Sequence, residues 1–198
     1  VIAALLVAAP AAVRAEDQVS LSMRGGGLVR DDHGYGEHAS AFGFGDPQLA
    51  GGGVVEAGVR VAPRLWLLAS WAGFGTSAVR RDSELVVSQV LLVAQLGFTA
   101  YRHSFDLEVD DEHESIALAL DLVAGGGVTT LSDDLDGTGD STTGPVARSG
   151  AQLKGSWRGV GVVLAYGYHY SRAALVDRLG GRLGAGGHEV SGGVAFGF

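Results

Sequence analysis

The residues of this chain whose types and spacing would do chemistry lie near its end: His169-Tyr170-Ser171, and further on Glu189. A histidine, a hydroxyl and a carboxylate are the parts of a nucleophile relay, in which the carboxylate orients the imidazole and the imidazole takes the hydroxyl proton. Such a trio arises readily by chance, so its meaning depends on the elements that position it. A second candidate is the run Asp134 to Asp140, DLDGTGD, with Asp134, Asp136 and Asp140 as oxygen ligands on alternate positions and Gly137 for the turn. That is the chemistry of a short calcium loop. The glutamate that closes an EF-hand is absent, and a solvated acidic loop is the preferred reading. A third cluster, His33 and His38 with Asp31, Asp32 and Glu37, reads as a solvated loop ahead of a metal site. Dinucleotide-binding, P-loop, zinc-protease and nucleophile-elbow patterns do not occur.

The elements that must carry these residues alternate with period two. In Gly159 to Ser171, Val160, Val162, Leu164, Tyr166, Tyr168 and Tyr170 fall on one face. Gly161, Ala165, Gly167 and His169 fall on the other. In the terminal stretch GHEVSGGVAFGF, Val190, Gly192, Val194, Phe196 and Phe198 oppose Glu189, Ser191, Gly193, Ala195 and Gly197. Side chains on a strand alternate between faces, so each segment has a greasy side and a small or polar side. Parity puts His169 and Glu189 on the small, polar side, away from the tyrosines.

Six further segments read the same way: Asp17 to Val29, Gly52 to Ala62, Leu65 to Gly75, Glu84 to Tyr101, Ile116 to Val128 and Ser149 to Ser156. Arg30 to Pro47, Thr76 to Ser83, Thr129 to Arg148 and Arg172 to Gly186 read as long loops. Arg102 to Ser115 reads as an acidic polar connection, with a short strand extension over Phe105 to Val109. Pro63-Arg64 and Trp157-Arg158 read as tight turns. The expected fold is all-β: an antiparallel up-and-down transmembrane β-barrel of eight strands, with long loops at one end and short turns at the other. A β-sandwich shows the same alternation, but its outer faces would carry many Lys, Glu and Thr. Here the non-greasy face is Gly, Ala and Ser with few charges, which suits the narrow interior of an eight-stranded barrel.

Composition agrees. Glycine is high at 33 of 198 residues, proline is low at 4, and cysteine is absent. The net charge of −8 argues against nucleic acid as a partner. Residues 1–15, VIAALLVAAPAAVRA, read as the apolar core and cleavage region of a partial secretory signal, without its Met and basic start. Residues 16–198 are expected to form the barrel domain. The inward set is Arg24, Glu56, Arg60, Gln89, Gln95, Asp121, Lys154, His169 and Glu189, expected to form a lumenal network because buried charges must be paired. Trp66, Trp71, Phe98, Tyr166, Tyr168, Tyr170, Phe196 and Phe198 are expected at the membrane interface, and Phe74 with them.

The signal-like start, the amphipathic strands, the Tyr166-Tyr168-Tyr170 ladder and the terminal Val194-Ala195-Phe196-Gly197-Phe198 resemble the small outer-membrane β-barrels of Gram-negative bacteria. The resemblance implies residence in the outer membrane, contact with its lipid and lipopolysaccharide, and insertion by the barrel assembly machinery. It implies no cofactor, and it leaves the ligand of the loops unnamed. His169-x-Ser171 with Glu189 is also similar to the lipid A deacylases of that membrane, except that Arg172 stands where the family has Asn and the parity is inward. The expected function is therefore a non-enzymatic barrel with a side-chain-filled lumen and a structural or surface role. The alternatives are a deacylase-like hydrolase, a narrow solute channel and a secreted binding module. Arg172, Arg178 and Arg182 make the last loop basic, suited to lipopolysaccharide phosphates.

Overall fold

The computed structural model describes residues 19–81, 83–109, 112–158, 160–176 and 181–197. The signal-like segment 1–15, Arg178 and Phe198 lie outside the described residues. The elements are β1 (Val19–His33), α1 (Tyr35–Ala41), β2 (Leu49–Ala62), β3 (Leu65–Arg80), β4 (Ser83–Val109), β5 (Glu112–Leu135), β6 (Thr138–Trp157), β7 (Val160–Ser171), β8 (Ala174–Val176) and β9 (Arg182–Phe196). Each long strand pairs antiparallel with its neighbour in sequence order, and β1 pairs with β9 to close the ring. Three-residue β8 hangs on the start of β9, outside the eight-stranded ring.

The register sets the shape. A row of paired residues leaves β1 at Val19 and runs through Val59, Leu67, Leu96, Ala124, Ser149, Tyr168 and His188. It returns to β1 at Val29, ten residues beyond position 19. Ten residues of rise around eight strands tilt each strand by roughly 40°. At that tilt one turn of the row climbs about 25 Å along the axis, the height of an outer-membrane apolar band. The outward side chains fit this height. From Val19, Val160 and Phe196 up to Val29, Val90 and Val128 the outer surface is aliphatic, aromatic or glycine over most of its area, and the large apolar groups on it are exposed. In water so large a patch would drive aggregation; against lipid it is required.

Above that band the strands continue, and here the structure departs from the sequence reading. Thr129 to Arg148 is no loop: β5 and β6 stay paired up to Leu135↔Thr138. Outward positions simply change from apolar to hydroxyl, with Ser88 Oγ and Ser132 Oγ 2.8 Å apart and Thr130 Oγ1 and Thr143 Oγ1 2.9 Å apart. The hairpin closes through Asp136 (φ 52°) and Gly137 (φ 83°), a two-residue turn with both φ angles positive, which Asp-Gly tolerates. β3 and β4 likewise pair to Arg80↔Ser83, and β9 begins at Arg182, inside the expected last loop. The first loop folds into α1, whose first turn is held by Asp32: Oδ1 accepts from Tyr35 N at 2.7 Å and Oδ2 from Gly36 N at 3.0 Å.

At the end carrying both termini, Ala62 to Leu65 and Trp157 to Val160 are tight connections as expected. Arg102 to Ser115 is different. β4 and β5 run on through it as a ladder to Val109↔Glu112, past the last pairs of β3 and β6. A register shift between Thr99 and Tyr101 marks a bulge that keeps Tyr101, His103 and Phe105 on the outer face, paired with Leu120, Leu118 and Ile116.

Candidate functional site

Alternation aims one side of every strand into the ring, and the lumen it creates is packed in layers. At the middle, Glu56 accepts from Arg24 Nη2 at 3.3 Å, from Gln95 Nε2 at 3.5 Å and from Gln152 Nε2 at 2.9 Å and 3.1 Å. Glu189 accepts from Arg148 Nη2 at 2.8 Å, His169 Nε2 at 2.9 Å and Ser191 Oγ at 2.9 Å. Facing an anion, Nε2 is the protonated ring nitrogen of His169. Arg148 Nη1 and Gln95 Nε2 both reach Ser70 Oγ, and Arg148 Nη1 also reaches Gln95 Oε1, joining the two carboxylate centres. Every ring strand except β5 contributes a side chain. Each carboxylate faces an arginine in a site closed to water, so opposite charges are compensated and donors shared.

Leu28, Ala50, Val54, Ala72, Phe74, Leu91, Val93 and Val146 form an apolar plug that starts level with this network, where Val54 pairs with Arg24 and Val93 with Ser70, and extends above it. Next comes Arg30, which is buried. Its Nε donates to Gln89 Oε1 at 3.1 Å, and its other nitrogens to the carbonyls of Pro47 (2.8 Å) and Phe74 (3.4 Å). Gln89 Nε2 in turn donates to Ala185 O at 2.8 Å and Thr129 Oγ1 at 3.3 Å. α1 then lids the barrel, packing Tyr35 and Ala39 on Leu85, Val87, Leu131, Leu175 and Leu183. At the end with the termini, Lys154 Nζ bonds Asp121 Oδ2 at 2.9 Å, and Trp66 lies under Arg60 (4.7 Å) and Lys154 (5.8 Å).

These positions place the sequence candidates. Arg24, Glu56, Gln89, Gln95, Asp121, Lys154, His169 and Glu189 are buried inside the ring, with Arg60 at its mouth. Arg148, Gln152, Ser70 and Arg30 belong to the same interior and were not in the expected set. Trp66 and Phe74 are not interfacial: both point inward and are buried. Trp71 lies five residues from Trp66 on one regular strand, and an odd separation forces opposite faces. Trp71, Phe98, Tyr166, Tyr170 and Phe196 are exposed on the outer surface. Tyr168 packs there against His188, whose Nδ1 is 2.7 Å from Tyr166 Oη.

Of the relay candidates, the fold joins His169 to Glu189 but not to Ser171. Ser171 Oγ donates to Pro145 O at 2.9 Å and accepts from Ala173 N at 3.1 Å. His169 turns into the lumen instead. The calcium-loop candidate is the β5–β6 turn: Asp134 Oδ1 accepts from Gly137 N at 2.7 Å, and Asp136 Oδ1 from Glu84 N at 2.9 Å. Asp140 sits across the ladder from Asp133, and the three carboxylates serve backbone groups or solvent separately. Asp32 is committed to α1 in the same way.

A closed eight-stranded ring with a lipid-type exterior and a packed polar interior defines a small β-barrel of the outer-membrane type. Among solved structures, the chain is similar to Ail, the attachment invasion locus protein of Yersinia pestis, over 90% of this chain and 97% of that one, at 12% identity and a TM-score of 0.46. The structure of Ail in complex with the heparin analogue sucrose octasulfate aligns over the same shares at 12% identity with a TM-score of 0.47. Neisserial surface protein A aligns over 91% of this chain and 96% of its own at 15% identity, with a TM-score of 0.41. No protein-family model matches the chain, and no curated protein sequence does.

Proposed function

We propose that the chain is a closed, non-enzymatic barrel of the bacterial outer membrane that works through the solvent-exposed end opposite its termini. The observation that carries this reading is the lumen. Its two carboxylate centres, the apolar plug that overlaps and extends above them, the Arg30 layer and the α1 lid together fill the interior from its middle to its upper end. An interior held this way serves rigidity and gives a solute no course through it. The outer surface supplies lipid contacts, and residues 1–15 act as the export signal. The barrel assembly machinery takes the terminal aromatic strand, and lipopolysaccharide meets the upper rim, where Arg182 Nη2 donates to Arg172 O at 3.4 Å. What remains for an external partner is the lid, β8 and the hairpin tips. The test is planar-bilayer recording of the refolded chain. The expected result is no conductance above the bare bilayer; resolved single-channel steps would contradict the closed lumen.

A further inference from the structure

We propose that the cleft between α1 and the β5–β6 hairpin binds an organic cation with an apolar body, its charged group facing Asp133 and Asp140. The inference rests on the reading that this end of the barrel faces the exterior. The cleft has a volume of about 370 Å³, within the range of small-ligand sites. Its floor is buried Tyr35, Ala39 and Leu85. Its rim is Phe42, Leu135 and Val176, all exposed, Val176 at 66%.

Those three apolar groups need an explanation that the membrane does not supply. Lipid accounts for the exposed side chains of the band. The hairpin carrying Leu135, however, has turned to Thr130, Ser132, Ser141 and Thr143 on its outer face before it reaches that level. Exposed apolar groups gathered around a concavity in water mark a binding surface. The lumen beneath is closed by Val87, Leu131 and Leu183, so the cleft is a place to dock and not the mouth of a pore.

Charge selects the occupant. Both oxygens of Asp133 are held: Tyr35 Oη donates to Oδ2 at 2.8 Å, and Asp140 N to Oδ1 at 3.0 Å. This carboxylate is therefore aimed before any ligand arrives. Asp140 stands beside it, exposed, and no Lys, Arg or His is among the described residues lining the cleft. An anion would meet two like charges. A cation meets two opposite ones and, in Phe42 and Phe44, aromatic lining residues of the kind that attract ammonium or guanidinium groups.

The experiment is methyl NMR of the full chain refolded in lipid nanodiscs, titrated with benzyltrimethylammonium and, separately, with phenylacetate. The expected result is a saturable shift of the Leu85, Leu135 and Val176 methyls with the cation and none with the anion. Asp140→Asn weakens the cation about twofold to fivefold, the effect of one exposed charge pair. Phe42→Ala does so by a similar factor. Both side chains are exposed, and unchanged Leu92 and Leu164 signals report that the barrel still folds. Absence of a cation shift, equal shifts with phenylacetate, or an Asp140→Asn titration indistinguishable from the parent would each overturn the proposal. A silent barrel that ignores the cation fails this inference alone; a conducting barrel that binds it fails only the closed-lumen reading.

Discussion

Glu189→Ala is the most severe single test of the lumenal network. It takes the 2.8 Å ion pair from Arg148 and the 2.9 Å acceptor from both His169 and Ser191. Among the described residues, Arg148 keeps only Nη1 contacts to Gln95 Oε1 at 3.4 Å and Ser70 Oγ at 3.5 Å. Both are long and to neutral acceptors. The two side chains are 3% and 0% exposed, so solvent does not replace the lost carboxylate. The cost is that of a stranded buried charge, about 3–5 kcal/mol. Summing the three bonds separately would give more, but losses within one network are not additive. With an m-value of ~2 kcal/mol/M, the urea midpoint of the barrel in lipid vesicles falls by about 2 M. Arg148→Met alone strands Glu189 and is costly for the same reason. The double variant strands neither, and costs less than the sum of the two singles by about 2 kcal/mol or more. A Glu189→Ala loss below about 0.5 kcal/mol, or strict additivity with Arg148→Met, would refute the reasoning, because solvated surface pairs behave that way.

Two further outcomes follow from where side chains point. Trp66 is 4% exposed and faces the lumen, while Trp71 and Trp157 are 52% and 49% exposed on the outer surface. In single-tryptophan variants, brominated acyl chains should quench Trp71 strongly, Trp157 according to its depth, and Trp66 hardly at all; equal quenching of Trp66 and Trp71 would reverse the inward assignment. At Gly127 a Cβ would fall on the Leu92 carbonyl oxygen and within 2.8 Å of Val93 Cα. Gly127→Ala therefore costs at least the ~1–3 kcal/mol of overpacking and lowers the folded fraction on a gel-mobility assay. Gly51→Ala, with open space at its Cβ, should leave that fraction unchanged.

The strand pattern was legible wherever lipid demanded it. Between Val19 and Val29, or Val160 and Tyr170, the apolar face announces itself, and with it the inward places of Arg24, His169 and Glu189. Above the membrane that demand lapses. Thr130, Ser132, Ser141 and Thr143 keep the ladder without keeping the greasy alternation, so β5 and β6 looked like a loop and took Arg148 out of view. The signal that reveals them is Asp136-Gly137, a hairpin turn pair inside the stretch that otherwise reads as a solvated acidic loop. The inward side of Trp66 is hidden in the sequence because Leu65, Trp66, Leu67 and Leu68 are apolar on both faces. Counting parity from Trp71 resolves it, as it does for Phe74. The joining of Glu189 to Arg148 could not be read at all, since it depends on the register that brings these two residues of β6 and β9 to the same height on either side of β7.

The most direct test of the central claim uses the absence of cysteine from the chain. Single cysteines at Asp136, Leu164 and Arg64 sample the tip opposite the termini, the lipid band and a turn beside the termini. In intact Gram-negative cells, a membrane-impermeant maleimide should label the first and spare the other two, and Arg64→Cys should become reactive once the outer membrane is opened. Labelling of Leu164→Cys in intact cells, or of Arg64→Cys in place of Asp136→Cys, would contradict a closed barrel that spans the outer membrane with its lid facing outward.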